Sequence, residues 1–313
     1  MSNAPTDFAK FDGMDDVGFL SRSKEYLGSL FEIKVPKESV SVCEECFLEL
    51  GRIEKEYSRF LEGSELSRVN SELGVWHKVS PEFIFLVQKS LEFYKKTNEN
   101  FDITLKSSLE SLGYDKDYSF KEKKSRDNVL SRLRHKLFGS IKIDALNSTI
   151  RITKQIEFGG FGKGYCLDRL SSILDAHKIR DYYINAGGDI YAKNNSSIDG
   201  WTVLLEHPDD PERAIGQIKL NNKAIAGSAP NRRRWGKYHH LLNAKTKMPQ
   251  DKVKCIFVIA DTGIDADAYA TALFTAGFEE GIKLSKKLPV EILIVSSKDK
   301  MYVSDGFNAE IFK

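Results

Sequence analysis

Three short segments of the 313-residue chain combine glycine, charged and hydroxyl residues in patterns that suit the chemistry of phosphate and metal ions. In the first, FGGFGKGY at Phe158–Tyr165, a glycine-rich turn and Lys163 open an amphipathic segment. The backbone N–H groups of such a turn and a lysine ammonium group both bind phosphate well. The spacing fits neither a Walker A loop nor a dinucleotide-binding G-x-G-x-x-G sequence. A phosphate-binding loop and a plain tight turn with a surface lysine are therefore the two interpretations.

The second segment, INAGGDI at Ile184–Ile190, runs from a strand into a double glycine and then Asp189. Paired glycines allow backbone conformations that other residues avoid, and they let a ligand approach the main chain closely. The pattern therefore indicates either a ligand-binding turn or an ordinary β-turn or bulge.

The third segment, DADAYATALF at Asp265–Phe274, has a helical pattern that ends near Gly277. Asp267 and Thr271 are four residues apart, so their oxygen atoms share one helix face. A carboxylate with a hydroxyl suits Mg²⁺, which takes a few protein oxygens and keeps water or phosphate at its other positions. The alternative is structural: Asp265 caps the helix, Asp267 favours the positive end of its dipole, and Thr271 packs.

Adjacent histidines, His239 and His240, precede a polar turn in the segment Tyr238–Pro249. A histidine can act as a general base near neutral pH. Neighbouring residues on a strand face opposite sides, so at most one of the two would face a given site. A zinc pair is not favoured, because no third ligand lies nearby in the sequence.

The elements that must position these segments follow from hydrophobic periodicity and capping signals. Apolar residues recur every three or four positions from Val40 to Tyr57 and predict a long helix ending near Phe60. Ser80 followed by Pro81 predicts a helix start and a helix to about residue 96. Residues 115–139 are charged and indicate a short helix or a surface loop. The predicted strands are Leu27–Val35, with a turn at Gly28 and Ser29, and Tyr182–Ile184, Thr202–Glu206, Ile256–Ala260 and Glu291–Val295.

This order of elements, helical first and mixed later, predicts an α+β fold. We expect a single large domain at 25–313, with a helical N-terminal part and a mixed sheet core, after a flexible tail at 1–24.

The bulk composition narrows the class of protein. The 47 basic and 45 acidic side chains give a net charge of +2, which does not favour nucleic acid or an anionic membrane as a partner. No apolar run has the length of a membrane span, and the N-terminus lacks the pattern of a signal peptide. We therefore expect a cytoplasmic protein, with removal of a targeting segment as the alternative. The C-x-x-C pair Cys43 and Cys46 lacks a second pair or a redox signature, so ordinary reduced cysteines are expected.

The order and spacing of these segments resemble those of the ApbE family, the FAD:protein FMN transferases, from about residue 26 to the C-terminal residue. The family's early Met-Gly-Thr strand is similar to Leu27–Ser29. Its Ser-x-Tyr and Ser-Glu-Ile-Ser-x-x-Asn sequences are similar to Tyr57–Phe60 and Ser64–Asn70, and its Ala-Phe-Asp-Ile-Thr to Asn100–Thr104. The three segments described first follow in family order, and the Ala-Asp-Ala-x-Ala-Thr sequence around Asp267 is the most specific of them.

The resemblance implies an activity and a set of site residues. Family members split FAD at its pyrophosphate, attach the FMN phosphate to a Ser or Thr hydroxyl of an acceptor flavoprotein and release AMP. The resemblance implies Mg²⁺ ligation by the side chains of Asp267 and Thr271 and by the carbonyl of Gly162. The residues implied for the FAD site are Leu27, Phe60, Asn100, Phe101, Asp102, Gly159, Lys163, Tyr165 and Leu241.

Catalysis of in-line attack at phosphorus requires positioning and neutralisation of charge. Lys163 would share the phosphate charge, and His240, ahead of His239, is our candidate base for the incoming hydroxyl. Two other activities remain open: Mg²⁺-dependent hydrolysis of FAD to FMN and AMP, and non-catalytic flavin binding.

The chain departs from the family pattern at several places. The family's Asp-Pro-x-Thr-Gly after the histidine is Asn243–Lys247 here, and its preceding Ser-Gly is replaced at Gly227–Pro230. Gly162 stands where the family has alanine, which still offers a carbonyl. These departures leave the implied metal site intact and alter the wall that faces the adenine or the acceptor. The basic run Arg232–Trp235 is interpreted as a solvated loop or as a contact with the acceptor or the FAD phosphates, and nucleic acid is not favoured.

Overall fold

The computed structural model describes residues 18–114, 139–195, 200–231 and 233–312. Seven α-helices lie in these ranges, four of them before residue 112. In chain order they are α1 Val42–Tyr57, α2 Glu65–Ser71, α3 Pro81–Lys96, α4 Lys106–Ser111, α5 Gly162–Ala176, α6 Gly263–Ala276 and α7 Phe278–Ser285.

An eight-stranded antiparallel sheet forms the centre of the fold, and three small sheets accompany it. With strands numbered in chain order, the large sheet has the spatial order β1 Phe19–Tyr26, β2 Ser29–Pro36, β6 Tyr182–Ala186, β7 Asp189–Lys193, β10 Lys223–Ser228, β13 Val253–Ala260, β14 Glu291–Ser296 and β15 Met301–Val303. The small sheets comprise β3 Trp76–Lys78, β4 Ile141–Asp144 and β5 Thr149–Ile152; β8 Trp201–His207, β9 Asp210–Leu220 and β16 Ala309–Ile311; and the two-stranded hairpin of β11 Arg234–Trp235 and β12 Tyr238–His239.

The central strands are buried on both faces, which places the sheet between two layers. Successive side chains of a strand point to opposite faces. In β14, Ile292 and Ile294 therefore join the core beneath the helices, whereas Leu293 and Val295 join a second core with Val203 of β8. The resulting architecture is helices on one face of the large sheet and the β8–β9–β16 sheet on the other.

The structure confirms the α+β prediction, although every strand pair in the described ranges is antiparallel and the sheet is therefore not mixed. The predicted helices over 40–60 and 81–96 are confirmed as α1 and α3. Ser80 caps α3 by accepting a hydrogen bond from the Phe83 N–H at 3.1 Å. Residues 115–138, for which a helix or loop was predicted, lie outside the described ranges.

The predicted boundary of the N-terminal tail at residue 24 is wrong, because Phe19–Tyr26 form strand β1. Among the described strands it pairs with β2 alone and so occupies an edge of the sheet, where exposed polar side chains are usual. Its sequence, FLSRSKEY, therefore lacks the apolar alternation of a half-buried strand. A two-residue turn, Leu27 and Gly28, joins it to β2, with φ angles of 55° and 68°.

Within the described ranges, we find no helix with the length and apolar character needed to cross a lipid bilayer.

Candidate active site

One cavity of about 890 Å³ opens between the helical layer and the edges of the glycine-bearing turns. Every site residue predicted from the sequence lines this cavity. They are Leu27, Phe60, Asn100, Phe101, Asp102, Gly159, Gly162, Lys163, Tyr165, His240, Leu241, Asp267 and Thr271. Residues as far apart in the chain as Leu27 and Thr271 thus converge on one place.

The glycine-rich loop reaches the site through a close crossing of α5 and α6. The Gly164 N–H donates a hydrogen bond of 2.9 Å to Oδ2 of Asp267. A Cβ atom on Gly164 would lie 2.1 Å from the carbonyl oxygen of Gly263 and 2.7 Å from the Asp267 Cβ. Glycine at position 164 therefore permits the contact that brings the loop to the carboxylate.

The N-terminus of α6 is fixed by side chains from two elements. Thr262 is the N-cap and its hydroxyl accepts a hydrogen bond from the Asp265 N–H, so Asp265 is not the cap that the structural alternative assumed. Asp168 of α5 accepts hydrogen bonds from the N–H groups of Gly263 and Ile264 at 2.6 and 2.9 Å. Burial raises the pKa of the Asp168 carboxyl to about 6, against the effect of those two donors.

Asp267 and Thr271 share one face of α6, as predicted, and both approach the glycine-rich loop. Asp267 is 6% exposed. The Thr271 hydroxyl donates a hydrogen bond of 3.2 Å to the carbonyl oxygen of Gly160. The loop carbonyl in contact with Thr271 is thus that of Gly160, two residues before the predicted Gly162.

Lys163 forms an ion pair of 2.5 Å with Asp189, a residue that the sequence analysis did not assign to the site. Asp189 is fully buried, and its other oxygen accepts a hydrogen bond from the Gly227 N–H at 3.1 Å. It follows a turn at Gly187 and Gly188, whose φ angles are 63° and 99°. The double glycine forms a tight hairpin turn between β6 and β7, and that turn aims the aspartate at Lys163.

Two buried carboxylates, Asp267 and Asp189, lie close together near Lys163. Burial raises the pKa of Asp267, repulsion from Asp189 raises it further, and the charges of Lys163 and Arg233 oppose both effects. A hard cation would relieve this repulsion, and the available donors are a carboxylate, a hydroxyl and a backbone carbonyl. The described residues contain no cluster of three or more His, Cys, Asp or Glu side chains suited to a metal. The set of one carboxylate, one hydroxyl and one backbone carbonyl nevertheless fits Mg²⁺, which completes its coordination shell with water or phosphate oxygens.

The two histidines have different surroundings. His239 is buried and satisfied, since its ring nitrogens contact the carbonyl of Gln250 at 3.0 Å and the N–H of Leu241 at 3.2 Å. His240 lines the cavity, and its buried Nδ1 atom has no hydrogen-bond partner in the part of the chain that the structure describes. Burial, aided by the charge of Arg233, places the pKa of His240 well below its usual range, so the ring is neutral near pH 7. The two rings therefore differ in that His239 is bound on both nitrogens, whereas Nδ1 of His240 is not engaged by any described residue.

Asn100, Phe101 and Asp102 line the cavity, but their side chains mainly make contacts that support the fold. The Asn100 side chain donates to the Thr97 carbonyl at 2.8 Å. Phe101 packs against the rings of Phe93 and Phe161. The Asp102 carboxylate accepts bonds from the N–H and hydroxyl of Thr104, both at 2.7 Å.

Tyr165 lines the cavity, and its hydroxyl is held by a hydrogen bond behind the cavity wall. Its hydroxyl donates to Glu82 of α3, which also accepts from Tyr57 at 2.9 Å. Arg52 donates two hydrogen bonds to Glu82, at 2.7 and 2.8 Å. Nothing in the local sequence around Glu82 indicated this connection, which joins α1, α3 and α5 behind the cavity wall.

The turn at 243–247, where the sequence departs from the family pattern, is held by the side chain of Asn243. The Asn243 side-chain oxygen accepts hydrogen bonds from the N–H groups of Lys245 and Thr246, at 3.0 and 2.9 Å. Its amide nitrogen donates to the Thr275 carbonyl at 2.8 Å. Asn243 thus makes the side-chain turn that an aspartate would make, and it adds an anchor to α6.

The sequence model of the ApbE family matches residues 27–294 of the chain. The chain is 22% identical over 312 residues to the FAD:protein FMN transferase of Haemophilus influenzae, covering 93% of this chain and 90% of that protein. It is 23% identical to the FAD:protein FMN transferase of Treponema pallidum, covering 94% and 91%.

The fold is that of solved ApbE proteins. The Thermotoga maritima ApbE protein superimposes with a TM-score of 0.85 at 24% identity, over 92% of this chain and 98% of that one. The Vibrio cholerae flavin transferase ApbE gives a TM-score of 0.80 at 21% identity, over 92% and 98%.

Proposed function

Because the chain belongs to the ApbE family, we propose that it is a Mg²⁺-dependent transferase that moves FMN from FAD to a Ser or Thr hydroxyl of an acceptor flavoprotein and releases AMP. The observation that carries the proposal is the convergence of Lys163, Asp189, Asp267 and Thr271 at one end of a cavity of about 890 Å³. That volume is within the range of small-molecule and cofactor sites.

The phosphate end of the cavity performs two tasks in this proposal. Lys163, oriented by Asp189, places a positive charge where the pyrophosphate oxygens would lie. Asp267, Thr271 and a carbonyl of the glycine-rich loop would hold Mg²⁺, which when bound polarises phosphate oxygens as a Lewis acid. Because phosphoryl transfer depends on positioning and neutralisation of charge, these residues supply its main requirements.

His240 is the proposed acceptor of the hydroxyl proton. The ring is neutral, the residue lines the cavity, and its Nδ1 atom has no hydrogen-bond partner among the described residues. A hydroxyl that reached this unpaired nitrogen would supply its missing hydrogen bond. The His240 ring would then accept the proton of that hydroxyl, beside the phosphate end of the cavity.

The remaining predicted residues would enclose the FAD ring systems, its ribityl chain and its ribose. Phe60, Tyr165 and Leu241 offer ring and aliphatic surface for an aromatic system. Leu27 and Gly159 line the wall with backbone and aliphatic groups, while Asn100, Phe101 and Asp102 hold that wall in shape.

The experiment is to incubate the purified chain with FAD and Mg²⁺, with and without EDTA, and to follow AMP and FMN by chromatography. We expect EDTA-sensitive AMP release in the presence of an acceptor, with the acceptor gaining an FMN-phosphoryl mass. Asp267→Ala should abolish turnover and Asp265→Ala, two residues away and outside the cavity lining, should not. AMP release by Asp267→Ala equal to that of the wild type would contradict the proposed metal site.

FAD hydrolysis is the second candidate function, since water and a protein hydroxyl attack the same phosphorus. Release of AMP and free FMN, without any mass gained by the acceptor, would identify it. Stable co-purification of intact FAD in the presence of Mg²⁺, with no turnover, would instead indicate a flavin-binding protein.

A further inference from the structure

Two turns beside the cavity carry a concentration of positive charge that the proposed chemistry does not use. Residues 231–250 contain six Lys and Arg side chains and no Asp or Glu, in a chain whose net charge is only +2. Arg232 lies outside the described ranges, and Arg233 lines the cavity. We call the three remaining cations that are exposed, Arg234, Lys237 and Lys245, the basic rim.

The first turn of the basic rim is the hairpin of β11 and β12, which is anchored by Trp235. Trp235 is buried, donates a hydrogen bond of 2.7 Å from its indole N–H to the Leu112 carbonyl, and stacks on Tyr114 with ring centroids 5.7 Å apart. Gly236, with φ of 53°, makes the turn that exposes Lys237. The anchored tryptophan therefore fixes the direction in which Arg234 and Lys237 present their charges.

The second turn is held by Asn243, whose side chain bonds the N–H groups of Lys245 and Thr246. A backbone bridge between Leu242 and Pro249 closes it. His240 and Leu241, which connect the two turns, line the cavity. The basic rim is thus attached directly to the wall that carries the proposed proton acceptor.

Carboxylates of the described residues do not neutralise the basic rim, whose Lys237 ammonium group lies 5.1 Å from the centroid of the Tyr238 ring. Across the part of the chain that the structure describes, Arg234, Lys237 and Lys245 form no ion pair, and Asp251, the next acidic residue in sequence, does not pair with them either. Cations elsewhere behave differently: Lys254 pairs with both Asp209 and Asp299 at 2.5 and 2.6 Å.

We propose, on the basis of the function proposed above, that the basic rim docks an acidic segment of the acceptor polypeptide next to the hydroxyl that receives FMN. Exposed cations on two fixed turns match a flexible anionic chain that crosses the cavity mouth, and they raise its rate of encounter. The FAD phosphates are already matched inside the cavity by Lys163. Nucleic acid is disfavoured because Trp235 and Tyr238, the aromatic residues of these turns, are buried and offer no stacking surface for bases.

The test uses fluorescent twelve-residue peptides with a central threonine and anisotropy as the measure of binding. One peptide carries four Asp or Glu residues and its partner carries Asn or Gln at the same positions. The rim variant is Arg234→Gln, Lys237→Gln and Lys245→Gln together. Its matched control is Lys283→Gln, Lys286→Gln and Lys287→Gln, which removes three exposed charges from the last turn of α7 and the two residues that follow it, outside the cavity lining.

We expect the acidic peptide to bind the wild type roughly tenfold more tightly than the neutral peptide at low salt, because exposed charge pairs contribute modestly and add up. The rim variant should lose that preference and the control variant should keep it. Raising the salt concentration should remove the preference in the wild type, since screening weakens exposed charges. FAD affinity and thermal unfolding should be unchanged in both variants.

Three results would overturn the proposal. The first is equal binding of the two peptides by the wild type. The second is an equal loss in the rim and control variants. The third is a single-stranded oligonucleotide of matched charge that binds the wild type more tightly than the acidic peptide and loses affinity in the rim variant. Because peptide binding requires no turnover, a failure here is distinguishable from a failure of AMP release, which would reject the proposed function itself.

Discussion

The crossing of α5 and α6 gives a prediction whose size can be worked out from the structure. A methyl group on Gly164 would lie 2.1 Å from the Gly263 carbonyl oxygen, more than an ångström inside normal contact, and 2.7 Å from the Asp267 Cβ. Both neighbours are parts of a buried helix, so the helices must separate. Overpacking of a core costs about 1–3 kcal/mol. Loss of the Gly164 N–H to Asp267 hydrogen bond, a buried bond to a carboxylate, adds about 1.5–3 kcal/mol.

We therefore expect Gly164→Ala to lower the free energy of unfolding by roughly 3–5 kcal/mol. Gly162→Ala is the matched control, because it lies in the same helix with nothing within 4 Å of its added Cβ. Alanine is a better helix former than glycine by about 1 kcal/mol, so this control should be neutral or slightly stabilising. Urea denaturation followed by circular dichroism measures both.

The same displacement should reach the chemistry, since it moves the Lys163 loop away from Asp267 and Thr271. FAD affinity and AMP release should fall in Gly164→Ala and persist in Gly162→Ala. If Gly164→Ala unfolds at the wild-type urea concentration, or if both variants are destabilised equally, the close crossing does not hold the site together and the reasoning fails.

Three further predictions concern charges near the site. The pKa of Asp168 is raised to about 6 in the folded chain. The stability that its protonated form confers is therefore complete below about pH 4 and is lost as the pH rises through 6. Between those two pH values the free energy of unfolding of the wild type should fall by at most about 3 kcal/mol relative to that of Asp168→Asn, as measured by urea titration at each pH. Lys163→Met should destabilise the chain by about 3–5 kcal/mol by leaving Asp189 buried and unpaired, and addition of Asp189→Asn should restore part of that loss; a further loss in the double variant would contradict the pairing. Glu82→Leu should lower FAD affinity by releasing the Tyr165 hydroxyl, while Glu82→Gln, which keeps an acceptor oxygen, should have a smaller effect in equilibrium binding.

The parts of the fold that the sequence predicts are those whose signals are local. Ser80 and Pro81 mark the start of α3 through a side-chain cap and a fixed φ angle, and the structure has that cap. The apolar repeat of α1 gives its buried face directly. Strand β1 was missed because an edge strand needs no apolar alternation, and its identity depends on pairing with β2. From the sequence alone, a polar segment of this kind is interpreted as a tail, because only its pairing with another strand identifies it as a strand.

The site residues also divide into those with a local sequence signal and those whose role depends on tertiary contacts. Asp267 and Thr271 were predictable because their spacing places two oxygens on one helix face, a property of the helix alone. Asp189 was visible only as part of a turn, because its pairing with Lys163 joins residues 26 positions apart on different elements. A buried carboxylate requires a cation or a proton, so a fully buried Asp189 with its lysine is the strongest sign that this cavity handles charge. The choice between His239 and His240 also depended on tertiary contacts: the Gln250 carbonyl satisfies one ring, and the cavity leaves a nitrogen of the other unpaired.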